Sequence, residues 1–69
     1  MPIINTIKEL RAKHHLTQSD LAAAVHVSRQ TIVALEKGSY IPSLLLAMKI
    51  SDVFSIPIEH IFTMKEEEK

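Results

Sequence analysis

Apolar residues recur along this chain at helical spacing, in five short bursts separated by polar or turn-forming residues. Ile7 and Leu10 pattern a first helix over Thr6 to His14, with Lys8, Glu9, Ala12 and Lys13 outward and Arg11 beside the apolar stripe. Leu21, Ala22 and Val25 mark a second helix begun by Thr17. The Thr17 hydroxyl can accept from the amide of Asp20, and Asp20 can answer in a loose capping box. His26-Val27 is a turn; Ser28 then caps a third helix over Arg29 to Lys37, stopped by Gly38, the single glycine. The loop Tyr40-Ile41-Pro42-Ser43 leads into a fourth helix, Leu44 to Phe54, expected to turn Leu44, Ala47, Ile50 and Phe54 inward. After a joint at Ser55-Ile56, Pro57 suits the first turn of a short fifth helix, Ile58 to Phe62. Pro2 to Asn5 and Phe62 to Lys65 are candidate strands, so the chain ends can pair as a ribbon.

This pattern predicts an all-α domain over residues 1–65 and a charged tail over 66–69. Sixty-nine residues support one small core. There is no cysteine, so neither disulfides nor cysteine-held zinc can staple it. The longest apolar run, Leu44 to Met48, is far below the roughly 20 residues that a bilayer requires. Nothing reads as a signal peptide, and a soluble, cytoplasmic protein without membrane contact is expected.

Formal net charge is zero, which at first argues against a nucleic-acid partner. The distribution changes that. Residues 1–49 carry six Lys or Arg against three Asp or Glu, net +3, and residues 50–69 carry two against five, net −3. The basic part contains the second and third helices.

Those two helices, over 18–37, have the makings of a DNA-reading unit. Leu21, Val25, Val27, Ile32 and Leu35 supply apolar contacts, and Ala22 is small where the helices cross. His26 occupies the turn, where a left-handed backbone is needed. The outward side of the third helix begins Ser28, Arg29, Gln30, Thr31, with Val33 and Ala34 one turn on. Arginine can bond guanine O6 and N7, glutamine can bond adenine N6 and N7, and Thr31, Val33 or Ala34 can touch a thymine methyl. Gln18, Ser28, Lys37, Ser39, Tyr40 and Ser43 are candidate phosphate contacts at the helix ends. The same apolar pattern also suits a plain helical hairpin, and the polar start of the third helix is what favours DNA.

The segments LTQSDLA, VSRQTIVALEKG, PSLLLAMKI and PIEHIF resemble, in order and spacing, the Cro/cI-type helix-turn-helix regulators, also called the XRE family. The resemblance covers roughly Ile3 to Phe62. It implies a five-helix lambda-repressor-like DNA-binding domain, with the chain ends forming a small antiparallel sheet as in the shortest members. It also implies a homodimer on double-stranded DNA, phosphate contact by Gln18, base reading by Arg29 and Gln30, and an ion pair between Arg11 and Glu36. A repressor acting on a palindromic operator is the family expectation. His15, His26 and Ser55 stand where the family favours glycine or asparagine, and Ile41 and Leu45 stand where it favours polar residues.

Other chemistry finds little support. No two of the four histidines have the i, i+4 spacing of a helical zinc site, and no nucleophile has a nearby base. No metal, cofactor or enzymatic activity is expected. Ile56, Ile58, Ile61, Phe62 and Met64 exceed what a short last helix buries alone, so they are the expected dimer interface. A rival reading is a protein-interaction module, an antitoxin or adaptor, presenting Ile41 and Leu45 to a different protein.

Overall fold

The computed structural model describes residues 3–65. The expected charged tail at 66–69 and the residue Pro2 lie outside the described residues. Strand β1 (Ile3–Asn5) is followed by α1 (Ile7–Lys13), α2 (Gln18–Ala24), α3 (Arg29–Lys37), α4 (Leu44–Phe54), α5 (Ile58–Ile61) and strand β2 (Phe62–Met64). The two strands pair antiparallel, Ile3 opposite Met64, Ile4 opposite Thr63 and Asn5 opposite Phe62. The ribbon continues into α1 through the Thr6 amide, which donates to the Ile61 carbonyl at 3.0 Å.

Helix starts follow from side-chain caps. Thr17 Oγ1 accepts from the Asp20 amide and Asp20 Oδ2 accepts from the Thr17 amide, both at 2.9 Å, closing the capping box. The bond from the Thr17 amide holds the Asp20 carboxylate below its ordinary pKa. Ser28 and Ser43 cap α3 and α4 through the amides of Thr31 and Leu46. At α1 Thr6 makes no side-chain cap; Asn5 Oδ1 accepts from the Ile7 amide, at 3.1 Å. Pro57 sits one residue before α5, at its N-cap.

Helix ends share one device. His15, His26, Gly38 and Ser55 all adopt the left-handed backbone, with φ of 59°, 63°, 81° and 55°. In each case the next amide reaches back five residues: Leu16 to Arg11, Val27 to Ala22, Ser39 to Ala34, Ile56 to Ser51. This is the Schellman arrangement, which is commonly accompanied by an apolar residue packed after the turn. Leu16, Val27 and Ile56 are those residues, each packed against the core. Their burial helps offset the strain of a non-glycine left-handed residue at three of the four ends.

The core gathers Ile7, Leu10, Leu21, Ala22, Val25, Ile32, Leu35, Leu46, Ile50, Phe54 and Ile61. Two expectations are corrected here. Leu44 does not face inward: it is 71% exposed, while Leu46 is buried. With about 100° per residue, Leu46, Ala47 and Phe54 cluster around Ile50, whereas Leu44 lies roughly a third of a turn away. Ile61 is fully buried inside the protomer and has no surface left for a partner, so it leaves the expected dimer interface. Ile56 and Phe62 also pack against the protomer's own core. The short last helix therefore spends most of its apolar surface at home.

Candidate nucleic-acid interface

The turn between α2 and α3 is set by His26 and closed by the Val27 amide on the Ala22 carbonyl at 3.0 Å. Buried Leu21 and Ala22 of α2, with Val25 at its C-cap, share the core with buried Ile32 and Leu35 of α3, so the remaining side of α3 faces solvent. Gln30, Val33, Ala34 and Lys37 follow one another at i, i+3, i+4 and i+7, a single stripe opposite Ile32 and Leu35. Arg29 and Gln30 are exposed at the helix start, Val33 and Ala34 are half-buried within the stripe, and Lys37 is exposed at its end. Thr31 lies on the flank, half-buried, with its hydroxyl 3.0 Å from that of Ser28.

A half-buried charge network braces this surface from behind. Arg11 Nε donates to Glu36 Oε2 at 2.6 Å, and Arg11 NH2 donates to Oε1 at 3.2 Å. The two side chains are only 14% and 9% exposed. Arg11 NH1 also donates to the Leu16 carbonyl at 2.9 Å, holding the turn between α1 and α2. Glu36 Oε1 accepts from Gln18 Nε2 at 3.2 Å, so the same carboxylate tethers the first residue of α2. An amide nitrogen carries two protons, so Gln18 keeps one to offer outward. Burial pushes the Glu36 carboxylate up, but the bonds from Arg11 and Gln18, with the charges of Arg11 and Lys8, outweigh it and hold its pKa below the ordinary value. The hydrogen bond to Glu36 raises the Arg11 pKa against desolvation, so the pair stays ionised.

The candidate phosphate contacts differ in what they have free. Ser43 accepts a cap bond and retains a hydroxyl proton to give, whereas the Ser28 hydroxyl accepts its cap bond and also shares a hydrogen bond with the Thr31 hydroxyl. Ser39 does not fit its assignment in this conformation: its hydroxyl and its amide both donate to the Ala34 carbonyl, at 3.2 and 3.1 Å. Tyr40 is exposed. Two features were missed in the sequence. Asn5 Nδ2 donates to the Leu35 carbonyl at 2.9 Å, tying β1 to the end of α3 across thirty residues, and no local signal announces it. Leu44 and Met48 join Ile41 and Leu45 as exposed apolar residues, and the i, i+1, i+4 spacing of Leu44, Leu45 and Met48 was the available signal.

Among the described residues no cluster of His, Asp and Glu is arranged to hold a metal ion. Among them, too, no helix is long and apolar enough to cross a membrane.

Two short helices packed through buried apolar residues, the second with a polar outward start, define a helix-turn-helix DNA-binding domain, and the helix-turn-helix family profile matches residues 7–61. The chain belongs to this family of transcriptional regulators, which are DNA-binding proteins and not enzymes. It is 55% identical over 64 residues to an uncharacterised HTH-type transcriptional regulator of Methanocaldococcus jannaschii, covering 93% of this chain and 97% of that one. It is 51% identical over 63 residues to the HTH-type regulator YgzD of Bacillus subtilis, covering 91% and 96%. A more distant relative, the cryptic phage CTXphi transcriptional repressor RstR of Vibrio cholerae, is 30% identical over 60 residues, 87% of this chain and 54% of RstR. The fold also matches a crystal structure of a Bacteroides fragilis protein described as DNA-binding, with a TM-score of 0.78, 23% identity, and coverage of 88% and 98%.

Proposed function

We propose that the protein is a sequence-specific repressor that binds a palindromic operator as a homodimer. Each α3 enters the major groove, with Arg29 and Gln30 bonding base edges and Thr31, Val33 and Ala34 in apolar contact with them. Gln18, Ser28, Lys37, Tyr40 and Ser43 hold phosphates on either side, and Ser39 does so once its hydroxyl rotates off Ala34. Repression follows from occlusion, because a bound dimer covers promoter DNA that polymerase needs.

The observation that carries this reading is the exposed, hydrogen-bond-capable start of α3 on a helix whose other face is wholly committed to the core. Its bracing counts in the same direction. A surface that reads bases must hold its side chains in place, and the Arg11–Glu36–Gln18 network fixes α3 against α2 and against the turn after α1. The distant similarity to RstR, a phage repressor, supports the sign of regulation.

Selection of bound duplexes from a random library at near-physiological salt tests the reading. An enriched palindrome with half-sites about 10 base pairs apart, centre to centre, is the expected result. Weak enrichment, with affinity collapsing as salt rises, would mean phosphate contacts without base reading and would defeat the proposal.

A further inference from the structure

The largest apolar surface on the described part of the chain is neither on the ribbon nor on α5. Ile41 (62% exposed), Leu44 (71%), Leu45 (64%) and Met48 (54%) occupy the loop before α4 and the outward side of its first turns. Leu44, Leu45 and Met48 share the helix face opposite Ile50. The ribbon also exposes Ile4 and Met64, but its register places them on opposite faces, so they form no single patch.

We infer that the patch formed by Ile41, Leu44, Leu45 and Met48 is the surface through which a second copy of this chain docks. The inference rests on the homodimer reading and names its contact.

Two observations select a second copy. The ten residues from Ser39 to Met48 contain no ionisable group other than the Tyr40 phenol, so the surface meets its own copy without like charges opposed. Further along the helix come Lys49 and Asp52, one of each sign, which a two-fold arrangement can pair crosswise at the rim. Four side chains exposed to this extent offer on the order of 400 Å² of apolar surface. At roughly three-fifths apolar, an interface built on them buries about 650 Å² per protomer, or ~1,300 Å² in all, above the ~1,000 Å² a specific interface needs.

The test is sedimentation velocity of the full chain over a wide concentration range, alone and with a palindromic duplex. The variants are Leu45→Glu, Met48→Lys and, because the chain has no cysteine of its own, the single substitution Leu45→Cys. Expected is a wild-type dimer whose dissociation constant rises at least ~100-fold in Leu45→Glu and in Met48→Lys, with the helical circular dichroism retained. Leu45→Cys should form a disulfide-linked dimer under mild oxidant. A wild-type dimer that persists unchanged in both charged variants, with no cross-link, overturns this surface and leaves the homodimer reading standing. A wild-type chain that is monomeric throughout, even on the palindrome, overturns both and returns the patch to a different protein.

Discussion

α3 and α4 both turn a row of side chains to solvent, and the rows differ in what removes their water. On α3 the row is Gln30, Val33, Ala34 and Lys37, flanked by Arg29. Its hydrogen-bonding groups lose water without penalty only to a partner that offers matching donors and acceptors, as base edges and phosphates do. On α4 the exposed row is Leu44, Leu45 and Met48, which any well-fitting apolar surface can cover. Bracing differs too. Behind α3 stands the ionised Arg11–Glu36 pair, which fixes orientation; the buried side of α4 is the apolar set Leu46, Ala47, Ile50 and Phe54. A surface that reads sequence needs angular definition, while an apolar contact tolerates repacking.

The change that would most directly break this contrast removes the readers. Arg29→Ala with Gln30→Ala should cost about 4 kcal/mol of specific binding, on the order of 1,000-fold, while leaving the melting temperature within a degree or two. Quantitative gel shift on the selected operator, beside a scrambled duplex, measures it. Unchanged affinity and preference would remove α3 from the interface.

Next comes the bracing. Arg11→Ala leaves the half-buried Glu36 without its cation, and should lower unfolding free energy by about 2 kcal/mol in chemical denaturation. The pair also has a pH signature. Glu36 ionises more readily folded than unfolded, so its contribution is complete above the unfolded value of about 4.3 and is lost as pH falls through the lower folded value. Denaturation midpoints should fall on acidification below that point, and less steeply in Glu36→Gln. No difference between wild type and Glu36→Gln would mean that the pair is not what braces α3.

Lys37 closes the α3 row where the loop to α4 begins, and it sharpens the boundary between the two surfaces. Lys37→Ala should weaken all duplexes alike and reduce the slope of log affinity against log salt by about 2, roughly 0.9 for each of the two Lys37 contacts in a dimer. A changed sequence preference instead would make Lys37 a reader. The smallest effect concerns the turn that aims α3. His26→Gly relieves a left-handed histidine at φ 63° and should stabilise by about 0.5 kcal/mol, read as a small rise in melting temperature with operator preference unchanged.

Local chemistry made much of this molecule legible from its residues. Thr17, Ser28 and Ser43 mark helix starts because a hydroxyl satisfies amides two or three residues away, and Gly38 marks an end because it enters the left-handed region freely. The apolar spacing of Leu21, Val25, Ile32 and Leu35 declared the helix-turn-helix for the same reason: periodicity depends only on the helix itself. His15, His26 and Ser55 were recognisable as unusual helix ends. That Leu16, Val27 and Ile56 help hold them became visible only once the core was assembled.

Tertiary structure alone decided the rest. Whether Leu44 or Leu46 turned inward depended on how α4 rolled against its neighbours, since both lie near one broad apolar stretch. Ile61 was fully absorbed by the protomer because β1 and β2 close over the chain ends, a pairing of segments nearly sixty residues apart. The Asn5 bond to Leu35 and the Gln18 bond to Glu36 likewise join residues thirty and eighteen positions apart. Spacing along a chain encodes what repeats within one element. Which elements meet, and at what rotation, is set by packing the whole core at once.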